Sequence, residues 1–354
     1  PLILIPGIGG SELKVTEDTF WSKEAGHGST FTRAYSKDEK VWVNEGEAAK
    51  PGEDDYFDIL RMQSDGITPE ANLELTGELF SGAYQETINF FIENGYELNA
   101  TLFIFPYDWR KDISLTAPLL NQKIEEIKTQ TGSDKVDIVA HSMGGLVARN
   151  YISDVERAGN VRKLFSLGVP HLGSVDLLKG LIYGDCLTVR DTGPICIGIS
   201  PSESMDVLQN MVGGYQLSPT SKYSYFYTGE NNLYPFAFRD DRDIDNNAVT
   251  GLLDYAGIKS LLDNLGHNTS LFTPSESFHE LDNNLNDTNG VQVYIISGSG
   301  VPTLGQIIEK YTVDFGGIKI PKKDELMING DGTVPLFSAS LEDITRNLTL
   351  KGNS

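Results

Sequence analysis

The run Val136-Asp137-Ile138-Val139-Ala140-His141-Ser142-Met143-Gly144-Gly145-Leu146-Val147-Ala148 constrains this chain more than any other stretch. Apart from Asp137 its first five residues suit a buried strand, and its last three open a helical run. Small residues flank the serine, with Ala140 two positions before it and Gly144 two after. A serine on so tight a strand-to-helix turn takes strained backbone angles, and bulkier neighbours would strike the strand and helix that it joins. The usual first small residue is glycine; Ala140 adds one methyl. Such a turn aims the serine oxygen away from the sheet. It also sets the Met143 amide at a helix N-terminus, where an unpaired N–H and the helix dipole favour developing negative charge. Ser142 is the candidate nucleophile and Met143 N–H the first candidate oxyanion donor.

The rest of the chain supplies the elements such a turn needs. Residues 2–5 are a short apolar run stopped by Pro6-Gly7, and 101–105 and 163–168 read as further strands. Ile88, Phe91 and Ile92 fall at helical spacing before Gly95, a plausible helix-ending glycine, and Leu120, Ile124 and Ile127 mark a second amphipathic helix. Strands alternating with helices predict a mostly parallel sheet covered on both faces. With the serine turn, that is an α/β-hydrolase fold. The alternation breaks after Ser174 and returns with strands at 291–296 and 347–350. Residues 1–174 and 290–354 are therefore expected to form the core, and 175–289 an inserted cap. The polar, Gly-rich stretch of about 16–66 reads as a loop excursion that could serve as a lid.

The loop Pro6-Gly7-Ile8-Gly9-Gly10-Ser11 after the first strand offers the second oxyanion donor, assigned to the Ile8 amide. A phosphate cradle fits it poorly, because the Gly-Lys-Ser/Thr ending and the full GxGxxG spacing are missing. Triads on this fold run serine, then acid, then histidine. Asp331, in Gly330-Asp331-Gly332-Thr333-Val334, follows the apolar Met327-Ile328 and is the candidate acid; a plain Asx turn is the bland alternative. His27, His141, His171, His267 and His279 all precede Asp331, so none obeys that order. His141 reads as packing beneath the turn, His171 as ordering a loop, and the other three as solvated or loop histidines. Without an imidazole base Ser142 is a weak nucleophile at neutral pH.

A formal charge of −22 argues against nucleic acid or a strongly anionic membrane as the main partner. No apolar run approaches the ~18 residues of a membrane span. Cys186 and Cys196 enclose nine residues. A bridge there would stabilise by about 2–3 kcal/mol, and two free thiols are equally compatible with the spacing. The acidic run Asp240 to Asn246 alternates like a calcium loop, but it has no turn glycine and no closing carboxylate, so a solvated loop is expected. No cofactor or metal is expected. The chain starts at Pro1 without an initiator Met or a signal-like segment, as a processed or trimmed piece would.

Taken together these segments resemble the lecithin:cholesterol acyltransferase family, which includes lysosomal phospholipase A2 and phospholipid:diacylglycerol acyltransferases. The matching residues are Leu4-Ile5-Pro6-Gly7 with Gly10-Ser11-Glu12-Leu13, Pro106-Tyr107-Asp108-Trp109-Arg110, and Ala140 to Gly145. Tyr294 with Gly300-Val301-Pro302-Thr303, and Gly330 to Val334, complete the set. The Tyr-Asp-Trp-Arg string and the late Gly-Asp-Gly-Thr-Val are the specific ones, and the cap is only loosely alike. The resemblance implies a serine-dependent lipid acyl hydrolase or O-acyltransferase on phospholipid or similar esters, working at a lipid surface; with the acidity and the possible Cys186–Cys196 bridge it leads us to expect an extracytoplasmic or secreted protein. A general carboxylesterase or triacylglycerol lipase is the alternative reading, and an inactive hydrolase-fold binding module the second. In the family the histidine follows a last strand, of which 350–354 looks like the end. It is therefore expected within a few residues beyond Ser354. Asp108 and Arg110 read as an ion pair behind the oxyanion loop.

Overall fold

The computed structural model describes residues 1–25, 29–50, 55–185, 187–188, 198–223, 236–242, 251–281, 288–313 and 316–341. Its centre is a five-stranded parallel sheet built from β1 (Leu2–Ile5), β2 (Leu102–Ile104), β3 (Val136–His141), β4 (Val161–Leu167) and β5 (Gln292–Ile296). The strands lie in the order β5-β4-β3-β1-β2. All four residues of β1 are buried, as a strand covered on both faces must be. In register, Leu2 faces Leu102 on one side and Asp137 on the other. This is the α/β-hydrolase architecture.

Helices follow where the apolar spacing predicts them. α1 (Ser81–Glu93) buries only Tyr84. α2 (Ile113–Thr131) starts where the Asp112 carboxylate accepts from Ser114 N–H and stops at Gly132, which takes φ 67°. Its inner stripe is Ile113, Thr116, Ala117, Leu120, Ile124 and Ile127, the i, i+4, i+7 pattern extended by two turns. α3 (Met143–Ile152) is buried along nearly its whole length.

The excursion between about 16 and 66 is more regular than its composition suggests. Thr19–Ala25 and Ser29–Tyr35 form an antiparallel hairpin, and Lys40–Trp42 joins Ser11–Val15 and Leu73–Leu79 in a small antiparallel sheet. Trp21, Tyr35 and Trp42 from this region enter the main core. Lys23 of the hairpin meets the carboxylates of Asp55, Asp58 and Asp206, which ties it to the helix Pro201–Leu208.

A long hairpin, β6 (Val301–Val313) with β7 (Lys319–Gly330), rises after β5. Phe238–Asp240 adds to it in parallel, and Leu252–Leu253 pairs with that strand. Chain from the inserted segment and chain beyond it thus share one sheet. His27, Cys186, Cys196, the acidic residues 243–246 and the strand expected at 347–350 lie outside the described residues. Among those described, no helix is long and apolar enough to cross a membrane.

One ion pair links excursion and core. Arg110 is fully buried and grips Asp108 through two contacts, Nε–Oδ1 at 2.9 Å and Nη2–Oδ2 at 2.8 Å, while Nη1 donates to the Leu60 carbonyl at 3.2 Å. Burial pushes the Asp108 carboxyl up, but Arg110 outweighs it, and the net shift is below the ordinary range. Removing one member strands a buried charge. Asp108→Ala is expected to lower stability by about 3–5 kcal/mol, read from urea denaturation midpoints at constant m-value.

Candidate active site

Ser142 has φ 51° and ψ −126°, one of few non-glycine residues at positive φ. That strain is held from both sides. Its amide donates to Leu167 O on the neighbouring strand at 2.9 Å, and its carbonyl accepts from Gly145 N–H at 2.9 Å. Glycines let the surrounding backbone close in. A Cβ at Gly144 would lie 2.3 Å from Pro6 O, one at Gly145 2.0 Å from Val169 Cγ2, and one at Gly7 2.8 Å from Ser142 Cβ. The loop after β1 therefore passes directly beside the serine.

That loop is tied at several of its polar atoms. Pro6 O accepts from Tyr107 Oη at 2.9 Å, Gly7 N–H donates to Tyr84 Oη at 2.7 Å, and Gly7 O accepts from Gly10 N–H at 3.0 Å. Gly9 O accepts from Trp42 Nε1–H at 2.5 Å. Among the described residues, no hydrogen bond is made by the amides of Ile8 and Gly9 in the loop or by those of Met143 and Gly144 at the start of α3. Ile8 and Met143 are the two of these expected from the sequence as oxyanion donors.

Asp331 sits where β7 ends. Its Oδ1 accepts from Thr333 N–H at 2.9 Å and Val334 N–H at 2.7 Å, so the Asx turn exists as well. Its Oδ2 lies against Gly168, where an added Cβ would stand 3.2 Å away. Gly168 directly follows Leu167, whose carbonyl holds the Ser142 amide. Acid and serine thus meet the same strand end. The turn is clamped from outside: Ser174 Oγ donates to Thr333 O at 2.7 Å, and Ser338 Oγ donates to Gly173 O at 2.7 Å.

The four described histidines are all engaged elsewhere. His141 stands beside the loop after β1 rather than beneath the turn, with Nδ1 2.8 Å from Tyr84 Oη. Part of its ring faces solvent, but the crowded surroundings strip enough water to lower its pKa below 6.5, against the pull of Asp331. His171 is buried, and its Nδ1 accepts from Arg149 Nη1 at 2.9 Å. Burial and then Arg149 hold it well below the ordinary value, hence neutral. His267 and His279 are not simply solvated. His267 Nδ1 meets Gln209 Oε1 at 2.7 Å, and His279 Nε2 donates to Gln216 O at 2.9 Å. Burial lowers His279 to about 4. Among the described residues, no histidine nitrogen bonds Ser142 Oγ.

Sequence reasoning missed the contacts of Tyr84, Trp42 and Tyr107, which tie down the loop after β1 from three separate segments. Each carries a polar tip on an aromatic body, but no local pattern says which backbone group that tip meets. It also missed Asp176, which follows Ser174 at the start of α4 (Val175–Tyr183). Burial pushes the Asp176 carboxyl up to about 7; Lys179 opposes this, and Asp185, Glu325 and Asp331 add to it.

The chain matches the family model described as lecithin:cholesterol acyltransferase over residues 65–211. Phospholipase A(1) LCAT3 of Arabidopsis thaliana is 23% identical over 96% of this chain and 83% of its own length. Lecithin-cholesterol acyltransferase-like 4 of the same plant is 26% identical over 43% of this chain and 30% of its own length. An uncharacterized protein of Saccharomyces cerevisiae is 39% identical over 82 residues, which span 23% of this chain and 12% of that protein. Among solved structures, the Tle4–Tli4 complex aligns at 14% identity over 96% of this chain and 89% of that one, with a TM-score of 0.49. Mature Bacillus licheniformis lipase BlEst2 aligns at 15% identity over 76% and 74%, with a TM-score of 0.27.

The raised Asp176 pKa fixes the sign of a stability effect. Between the unfolded value of 3.8 and about 7 the native state holds a proton that the unfolded chain has released. The group's contribution is complete below 3.8 and is lost as pH rises through 7. Asp176→Asn is expected to leave Tm unchanged near pH 4 and raise it at pH 8, as differential scanning calorimetry would read.

Proposed function

We propose, from its match to the lecithin:cholesterol acyltransferase family model and the likeness to its plant relatives, that this chain transfers acyl groups from lipid esters through a covalent ester on Ser142. The observation that carries the reading is a serine held at positive φ with the β1 loop packed directly against it, where the amides of Ile8 and Met143 make no hydrogen bond. A carbonyl oxygen gaining charge would use both, at no cost of reorganisation.

In this reading Ser142 Oγ attacks the ester carbonyl and forms the new C–O bond while a base takes its proton. The carbonyl oxygen becomes an oxyanion that accepts from Ile8 and Met143. Collapse expels the alcohol, which takes the proton back, and leaves the acyl group on Ser142. Water or a lipid alcohol then attacks the acyl-serine by the reverse steps, giving hydrolysis or acyl transfer. The role assigned to Asp331 Oδ2 is to accept from an imidazole N–H and stabilise the imidazolium. Oδ1 is already saturated, so Oδ2 is the oxygen with capacity left. The fold's chain order calls for a histidine after Asp331, and none of the five histidines in the 354 residues follows it. We assign the base to an imidazole docking between Ser142 and Asp331, a place that imidazole added to solution can also occupy.

Phospholipid as the preferred ester is the finer part of the proposal, prompted by the Arabidopsis phospholipase A(1). A panel of phospholipid, triglyceride and short soluble esters, with and without an acceptor alcohol, separates it from a general esterase.

The expected result with a fluorophosphonate probe is labelling of Ser142, faster with added imidazole and absent in Ser142→Ala. Asp331→Asn is expected to cut the imidazole-dependent rate by about tenfold or more. Labelling that persists in Ser142→Ala would refute the assignment.

A further inference from the structure

We propose that Tyr84 and His141 are positioning residues for the oxyanion loop, tying the Gly7 amide back so that Ile8 N–H is the donor left facing the reacting carbonyl. The inference rests on the reading of Ser142 above and adds a regulation of that site by pH. Its basis is a directed chain of hydrogen bonds. Gly7 N–H donates to Tyr84 Oη at 2.7 Å, and Tyr84 Oη lies 2.8 Å from His141 Nδ1. The phenol has one proton to give, and Gly7 already donates to its oxygen. In the proposed chain that proton is donated to His141 Nδ1, with the imidazole neutral and its own proton on Nε2.

The chain acts where loop and serine are closest. A Cβ on Gly7 would stand 3.3 Å from both Ser142 Oγ and His141 Nδ1. A small rotation of the Gly7 peptide would thus swing the next amide, Ile8, out of line with the serine. Tyr84 is suited to prevent it. It is the single buried residue of α1, and it packs with Leu4 and Leu79, so its ring is held from both sides. Burial pushes its phenol up to about 12, the Gly7 amide acting the other way, so the hydroxyl stays protonated at any working pH.

The same chain fails in acid. The charged and titratable groups that face His141 are Tyr84 from α1 and Asp331 from the turn after β7. Crowding lowers the His141 pKa below 6.5 and Asp331 opposes that shift. Once Nδ1 carries a proton, two donors point at one another across 2.8 Å, and the Tyr84 hydroxyl must turn away. The Gly7 amide then donates to a Tyr84 oxygen whose proton and lone pairs have been redirected.

The test is a titration of the chain by NMR. The sequence holds two Pro-Gly pairs, ending at Gly7 and Gly52, so carbonyl-labelled proline with 15N-glycine isolates the Gly7 amide. The expected result is a Gly7 amide that shifts with pH at the midpoint of the His141 ring, below 6.5. Tyr84→Phe should abolish both that shift and the hydrogen-bonded position of the resonance. His141→Gln, at a partly exposed site, should keep the fold and abolish the pH response alone. A Gly7 amide that ignores the His141 titration, or responds equally in either variant, would overturn the proposal. Failure of the probe to label Ser142 would instead count against the nucleophile assignment, and this titration would still decide the present one.

Discussion

The rest of this structure depends on one close approach, between the loop that leaves β1 and the turn that joins β3 to α3. Two glycines make it possible. Any side chain at Gly144 would enter the Pro6 carbonyl, and any at Gly7 would enter Ser142 itself. With those contacts free, backbone meets backbone, and the Gly7 backbone comes to rest against the serine. The strain at Ser142 persists because Leu167 O and Gly145 N–H hold its peptide groups from opposite sides.

Around that contact lies a shell of anchors that keeps both loops from relaxing. Tyr107, Trp42 and Tyr84 each spend their polar atom on the β1 loop. Behind them the buried Arg110–Asp108 pair joins this wall to Leu60 in the N-terminal excursion. On the far side, buried neutral His171 and Ser338 brace the segment that faces Asp331. The rigidity of the site is thus built from side chains scattered over three hundred residues, each satisfying a backbone group that water would otherwise claim.

The features legible in the sequence were those carried by local patterns. The buried run of β1, the small-residue turn at Ser142 and the spacing of Leu120, Ile124 and Ile127 each follow from one-dimensional periodicity, and the structure contains all three. The hairpin of β6 and β7 was not foreseen. Its strands mix Lys, Glu and Gly with apolar residues, and its partner Phe238–Asp240 lies about seventy residues upstream. Histidine surroundings were likewise out of reach, because the acceptor of His279 is a carbonyl sixty-three residues away. Tyr84 shows the limit best. Its helical position was readable, but its contact with Gly7 spans seventy-seven residues.

A crystal structure of the chain after reaction with a phosphonate ester tests the central claim most directly. The account predicts phosphorus bonded to Ser142 Oγ, with the phosphonyl oxygen accepting from both the Ile8 and Met143 amides at ordinary hydrogen-bond distance. A phosphonyl oxygen turned away from both amides, or an adduct on another residue, would contradict it.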